Sequence, residues 1–207
     1  MNRRQGTAAA ALVLALAGAA PSGAATITLP RPGQVGFGAQ GQFGALMKRG
    51  DFGEDFGAGA GISFRARYRM RFERGLGLSF ERQGFEARSG VKPDTSGGGR
   101  VFPETLTLQT ATFDVYQMFG TRTRTPRYLS AGLGLAQATQ KLDDGTTRVS
   151  GRGAGDGFLV SAGAGVEYFF WQSWAVDLST RYHAIFHRDR TNHDVQVSAG
   201  LIFYAAY

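Results

Sequence analysis

Hydrophobic and polar residues alternate with a period of two along most of this chain from about residue 35 onward. In the run Ala58–Phe72 the even positions are alanine, isoleucine, methionine or aromatic, and the odd positions are glycine, serine or arginine. Such alternation is typical of a β-strand with two unlike faces. The run exceeds the common strand length of about 5–6 residues and reaches the roughly 9–11 that a tilted strand needs to cross a bilayer. It predicts a membrane-spanning β-strand.

Seven further segments show the same pattern, which predicts eight strands. In the fourth, Leu106 and Leu108 share one phase while Ala111 and Phe113 share the other, so we expect a β-bulge near Thr110. The predicted strands lie near Val35–Met47, Ala58–Phe72, Leu76–Gln83, Thr105–Phe119, Tyr128–Ala136, Phe158–Phe170, Val176–Phe186 and Val195–Tyr207.

The connections between the predicted strands alternate between long polar loops and tight turns. This arrangement and the even strand number predict an all-β fold, an eight-stranded antiparallel transmembrane up-and-down β-barrel with both termini periplasmic. A soluble lipocalin-like barrel would also alternate, with its apolar set inside. The long strands and the 31 glycines, many on the polar faces, favour the membrane barrel. An aromatic girdle is expected at one membrane boundary, from Phe72, Phe119, Trp171, Trp174 and Tyr207.

The amino terminus has the composition of a secretory signal peptide. Arg3 and Arg4 precede an apolar run of alanine, leucine and valine, and small residues follow at 22–25. The apolar run is shorter than the roughly 20 residues of a spanning helix, which disfavours a membrane anchor. We therefore predict a signal peptide at 1–25 and a barrel at 26–207, leaving 182 residues of formal charge +5 from a chain of 207 at +7. The chain has no cysteine, which excludes a disulfide scaffold and thiol chemistry.

The polar faces of the strands carry charged residues that the barrel would enclose. An eight-stranded barrel is filled by its own side chains, so charges inside it are expected to pair. Since arginines outnumber carboxylates in this set, two interpretations stay open: a structural polar plug, or a narrow porin-like passage for small anionic solutes. The predicted interior polar network consists of Arg65, Arg67, Arg69, Arg71, Glu81, Glu167, Asp177 and Arg181.

Three weaker signals point to other chemistry. His187, Asp189, His193 and Asp194 fall in one predicted loop and are a possible zinc set, although a solvated charged loop is the simpler interpretation. An outer-membrane lipid-modifying enzyme, the second alternative function, would need a serine hydroxyl within hydrogen-bond reach of a histidine imidazole. Ser179 and His183 are about 13 Å apart along one strand, which disfavours this alternative. We therefore expect no enzyme, no metal and no cofactor. The tripeptide Arg49-Gly50-Asp51 in the first loop matches an adhesion motif, most simply by chance.

Four segments carry a resemblance to a known family, namely Tyr128–Leu135, Gly163–Phe169, Val176–Tyr182 and Ser198–Tyr204. With them the chain resembles the outer-membrane β-barrel domain family, which includes the OmpA transmembrane domain and small porin-family relatives. The resemblance implies a monomer of the bacterial outer membrane with a structural or surface-interaction role. Its expected partners are outer-membrane lipid, lipopolysaccharide and the barrel-assembly machinery, which would bind the C-terminal strand. Neither nucleic acid nor a peptidoglycan-binding domain is expected.

Overall fold

The computed structural model describes residues 32–48, 51–88, 103–142, 147–149, 157–187 and 190–205. The predicted signal peptide, the predicted girdle residue Tyr207, and residues Arg49 and Gly50 of the tripeptide lie outside these residues. No helix in the described part of the chain is long and apolar enough to cross a membrane.

Most of the described residues lie in β-strands, and a short helix stands between the first two strands. The helix α1 is Asp51–Asp55. The strands are β1 (Val35–Leu46), β2 (Phe56–Arg69), β3 (Arg74–Ala87), β4 (Pro103–Phe119), β5 (Arg127–Leu142), β6 (Thr147–Val149), β7 (Gly157–Phe169), β8 (Trp174–His187) and β9 (Arg190–Ala205).

Eight of these strands form a closed antiparallel ring in the order β1-β2-β3-β4-β5-β7-β8-β9, and β9 returns to β1. The three-residue β6 only extends β5. Following partners around the ring from Gln137 on β5 leads back to Arg127 on the same strand, ten residues away. Eight strands with this stagger make a barrel that side chains can fill. The predicted fold class is confirmed.

The outer face of the barrel wall is apolar and the inner face is largely polar, as a membrane barrel requires. Phe64 is 56% exposed and Leu201 47% exposed on the outside, while their strand neighbours Arg65 and Ile202 are buried. Val166 also lies on the outward face of β7, between the buried Glu167 and the inward Gly165. Because the outer surface is apolar, the lipocalin-like alternative is wrong.

The ends of the barrel are unlike. We call the end with the connections 70–73, 120–126 and 170–173 the turn end, and the opposite end the loop end. At the turn end, the exposed rings of Phe72, Phe119, Trp171 and Trp174 form the predicted girdle. The Trp174 ring also contacts that of Phe203, with centroids 5.0 Å apart.

Two sequence predictions about the strands are wrong. Strand β4 pairs with β3 in unbroken register through Thr110, so there is no bulge at that position. Leu106 and Leu108 point inward instead, where both are buried among apolar side chains. The predicted charged loop before the last strand is largely strand, because β9 begins at Arg190.

Inward glycines make room for buried aromatic rings. A Cβ added to Gly165 would lie 2.4 Å from the Tyr128 ring, and one added to Gly36 would lie 2.7 Å from the Tyr204 ring. Neither ring could keep its position against an alanine. The glycine-rich inner faces thus allow tyrosines from other strands to pack flat against the backbone.

Candidate functional site

Buried charges fill the middle of the barrel, and we call this set the ionic network. Near the turn end, Glu167 accepts hydrogen bonds from both Arg67 and Arg69, and all three are buried. The Arg67 Nη2 atom lies 3.2 Å from Oδ2 of Asp177. Two carboxylates on β7 and β8 therefore face two arginines on β2 across the barrel interior.

Three tyrosines complete this part of the network. The Tyr128 hydroxyl donates to Asp177 at 2.8 Å, and the Tyr204 hydroxyl donates to Glu167 at 2.6 Å. The Arg67 guanidinium carbon lies 4.3 Å from the ring centres of both Tyr116 and Tyr128. Such cation–π contacts are strongest where water is excluded. The buried arginines here have both charged and aromatic partners.

Arg181 links the centre of the network. Its Nη1 lies 3.3 Å from Glu81, and its Nη2 lies 3.1 Å from Asp114. Ser79 also donates to Asp114, at 2.6 Å. Arg65 approaches Glu81 at 3.6 Å and donates to Ser179 at 2.9 Å. Through these contacts and the Arg67–Glu167 pair, side chains from five strands, β2, β3, β4, β7 and β8, take part in the network.

Toward the loop end the network continues through His183, Gln196 and Asp194. His183 places Nε2 3.8 Å from Glu81 and Nδ1 3.5 Å from Asp194. Gln196 donates to Glu81 at 2.7 Å. Both carboxylate oxygens of Asp194 are buried without a hydrogen-bond donor. The space between Gln42, Glu81, His183 and Asp194 leaves no room for a water molecule.

The structure brings together seven of the eight predicted network residues, and the exception is Arg71. Strand β2 ends at Arg69, and Arg71 is exposed in the following turn. The backbone reverses there through positive φ at Phe72 and Glu73, which ends the alternation that would have carried Arg71 inward. Its predicted interior position is wrong.

The predicted excess of interior arginine is also wrong for the part of the chain that the structure describes. Four arginines are buried there against five carboxylates, because Arg71 is outside while Asp114 and Asp194 are inside. His183 adds a titratable group to the same set. The enclosed charges are close to balance, which is what burial in a low-dielectric interior requires.

Apolar layers close the interior at both ends of the network. At the turn end, Tyr116, Met118 and Tyr128 form one cluster, and a second lies around Phe169. At the loop end, a larger group that we call the loop-end layer contains Leu46, Phe52, Phe56, Phe85, Leu106, Leu108, Ala136, Ala138, Leu159 and Ile185.

Helix α1 anchors the loop-end layer. Its Phe52 side chain is 6% exposed, and the Phe52 amide donates to the Asn192 side chain at 3.1 Å. The Arg88 guanidinium donates to the carbonyls of Gly53, Phe56 and Leu46 at 2.8–3.2 Å. These bonds satisfy carbonyls around the helix, so that the first connection folds across the barrel mouth.

The other candidate sites do not assemble in the described residues, and Asp189 of the predicted zinc set lies outside them. Asp194 points inward, whereas the neighbouring His193 lies on the outer face beside Tyr182, so the two cannot bind one zinc ion. No group of three or more His, Asp or Glu in the described part of the chain is placed to hold a metal. Ser179 bonds to Arg65 and Ser198, and His183 faces Glu81 and Asp194. Ser179 and His183 therefore do not form a Ser–His pair that could act on lipid.

The predicted set of eight lacked two carboxylates and three tyrosines of the network, namely Asp114, Asp194, Tyr116, Tyr128 and Tyr204. A signal was present for each. Each lies at an inward position of its strand when the alternation of that strand is continued without a bulge or loop. The tyrosines were harder to identify because aromatic residues in an alternating strand are expected on the face toward lipid.

Comparison with known proteins agrees with this architecture. Residues 8–203 match the family model for the outer membrane protein beta-barrel domain. Neisserial surface protein A is similar at TM-score 0.56 and 19% identity, over 81% of this chain and 96% of that chain. Ail, the attachment invasion locus protein of Yersinia pestis, is similar at TM-score 0.52 and 14% identity, over 84% and 100%.

OprG from Pseudomonas aeruginosa is similar at TM-score 0.56 and 11% identity, over 87% of this chain and all of that chain. At these identities the likeness shows the fold alone. No curated protein matches this chain. The family model spans nearly the whole sequence, and the closed barrel has the apolar exterior that a bilayer requires. The chain belongs to the outer membrane protein beta-barrel domain family and is a protein of the bacterial outer membrane.

Proposed function

We propose that this protein is a non-conducting outer-membrane barrel with a structural or surface-interaction role. The observation that carries the proposal is the layering of the interior. A nearly balanced ionic network lies between apolar side chains at both ends, and the space between Gln42, Glu81, His183 and Asp194 admits no water. A barrel built in this way is a rigid support for its loops.

Solute passage would require the loop-end layer to open. Phe52, Phe56 and Phe85 are each at most 6% exposed and pack in the same layer. Every Arg of the network also has a carboxylate within 3.6 Å. The main alternative function is the passage of small anionic solutes, which would need an interior arginine free to bind them. Among the described residues, no buried arginine lacks a carboxylate partner.

The orientation and assembly of the barrel belong to the same proposal. The loop end would face the cell exterior and the turn end, with both termini, the periplasm. This follows the usual distribution of long loops and short turns in outer-membrane barrels. The proposal also includes export by a signal peptide at 1–25 that is then cleaved. The barrel-assembly machinery would recognise the C-terminal strand, and the folded protein would be a monomer.

A surface role is supported by what the similar barrels are. One is a Neisserial surface protein and another an attachment invasion locus protein. In this chain the long connections are polar and charged, and residues such as Lys92 and Arg100 lie in one of them. We propose that these loops contact molecules at the cell surface, and that no reaction is catalysed. Hydrolysis of phospholipid or lipid A by the purified protein would contradict the proposed absence of catalysis.

Planar-bilayer recording tests the proposed function. The refolded mature chain is inserted into bilayers and examined with a potassium chloride gradient in each direction, next to a general porin as a positive control. We expect no discrete conductance steps above the bare bilayer. Openings whose reversal potential indicates anion selectivity would contradict the proposal in favour of the porin-like alternative.

A further inference from the structure

One side of the outer wall carries a row of polar side chains well below the loop end. Arg82 on β3 pairs directly with Gln109 on β4, and Gln109 pairs directly with Gln137 on β5. All three side chains are exposed on the outward face. We call these three residues the polar row.

The polar row marks where the apolar surface ends on this side. Immediately toward the turn end, Phe80, Ala111 and Leu135 are register partners and are exposed apolar residues. Toward the loop end, Gly84 and Thr107 follow, and then an exposed ion pair of 2.9 Å between Lys141 and Glu104. The outer wall therefore changes from apolar to polar at Arg82.

The adjoining part of the wall, β7 and β8, is apolar almost to the loop ends of its strands, and β7 pairs directly with β5. Phe158 is the second residue of β7, and its ring lies 6.4 Å from that of its partner Phe186 on β8. By contrast, Arg82 lies five residues before the end of β3 at Ala87. The polar row is thus an indentation in the apolar belt over β3, β4 and β5.

Arg82 has no ion-pair or hydrogen-bond partner in the described part of the chain, although four other arginines of the barrel are paired inside. An arginine on the lipid face costs up to about 2–4 kcal/mol at the bilayer midplane and less toward the interface. A phosphate removes that cost, because a guanidinium binds phosphate oxygens through two parallel hydrogen bonds. The Gln109 and Gln137 amides can donate to the same anion.

The backbone leaves space for such a group. A Cβ added to Gly84, the next outward position on β3, would have no atom within 4 Å. We propose that the polar row binds a phosphate group of lipopolysaccharide. The choice of lipid rests on the proposed orientation, which places the loop end, and hence the polar row, at the outer-leaflet headgroups.

Lipid A binding to the refolded protein in detergent, measured by native mass spectrometry, tests this site. The probes are diphosphorylated lipid A, dephosphorylated lipid A and phosphatidylglycerol. We compare wild type with Arg82→Gln, and with Arg74→Gln as a matched control, since Arg74 lies on the same face of β3 at the turn end. Heat-modifiable migration on a gel verifies that each variant is folded.

We expect Arg82→Gln to weaken binding of diphosphorylated lipid A about tenfold and Arg74→Gln to leave it unchanged. The difference between wild type and Arg82→Gln should vanish with dephosphorylated lipid A. The double variant Gln109→Leu, Gln137→Leu should weaken binding in the same way, and it replaces Arg82→Gln if that protein does not fold.

Equal affinity of wild type and folded Arg82→Gln for diphosphorylated lipid A would overturn the site. A loss confined to phosphatidylglycerol would overturn the choice of lipopolysaccharide. The orientation is tested separately by protease cleavage of the loops on intact cells, and the sealed interior by conductance. A failure of this site is thereby distinguished from a failure of the proposed function.

Discussion

The guanidinium carbon of Arg67 lies 4.3 Å from the centre of the Tyr116 ring, inside the barrel and away from solvent. The Tyr128 ring is equally close, and the two rings meet edge to face with centroids 5.5 Å apart. Glu167 and Asp177 approach the same guanidinium. This charge is held by partners of two kinds, which allows their contributions to be separated by substitution.

Glu167→Gln should destabilise the barrel strongly. The change leaves Arg67 and Arg69 buried without the carboxylate that both contact, and breaking a buried pair in this way costs about 3–5 kcal/mol. Urea unfolding of the barrel in lipid vesicles measures the free energy of unfolding. Glu86→Gln, at an exposed outward position on β3, is the control and should change it by less than about 0.5 kcal/mol. Similar values for the two variants would contradict the assigned role of Glu167.

Asp194→Asn should have a much smaller effect than Glu167→Gln. The Asp194 carboxylate is buried but accepts no hydrogen bond, and Nδ1 of His183 lies 3.5 Å from it. Removing the charge lowers the desolvation cost while it weakens that one contact, so the two terms oppose each other. The free energy of unfolding should stay within about 1 kcal/mol of wild type by the same urea titration. A loss as large as that of Glu167→Gln would show that Asp194 is fully paired.

Two substitutions of Tyr128 separate its hydroxyl from its ring. Tyr128→Phe removes the donor to Asp177 but keeps the ring beside Arg67, and should cost about 1.5–3 kcal/mol, as for a hydrogen bond to a charged group. Tyr128→Leu also removes the cation–π contact and should cost at least about 1 kcal/mol more. Tyr68→Phe, on the lipid face, is the control. Equal costs for Tyr128→Phe and Tyr128→Leu would mean that the ring does not stabilise Arg67.

Gly165→Ala should destabilise the barrel because its Cβ would lie 2.4 Å from the Tyr128 ring. Gly84→Ala adds the same methyl group where no atom lies within 4 Å, so it should be nearly neutral. The cost at Gly165 should fall when Tyr128 is also replaced by leucine. A double-mutant cycle by urea unfolding measures this coupling. Strictly additive effects would show that the glycine does not make room for the ring.

The strands and their sidedness could be predicted from sequence, because lipid outside and packed polar groups inside impose a period of two over long segments. The exceptions lie where another force acts. Leu106 and Leu108 face inward since the barrel mouth is closed by apolar packing rather than by charge. Arg71 continues the pattern of β2, yet a turn with two positive φ angles interrupts the strand before it.

The composition of the ionic network could be predicted only in part for similar reasons. Asp194 follows a run of charged residues that is typical of a loop, and pairing with β1 and β8 makes it a strand residue instead. The buried tyrosines depend on glycines in neighbouring strands, such as Gly165 beneath Tyr128. Such matches are set by the register between strands, which a single sequence does not specify.

The central claim is that a lipid-facing apolar surface encloses a sealed interior, and methyl NMR of the barrel in lipid nanodiscs tests it most directly. Methyl groups of the same residue types lie on both faces, so nuclear Overhauser effects to lipid acyl chains separate them. We predict such contacts for Ile62, Leu129, Leu133 and Leu201. We predict none for Leu106, Leu108, Leu159, Ile185 and Ile202, which are buried inside. Acyl-chain contacts to this second group, with none to the first, would contradict the account.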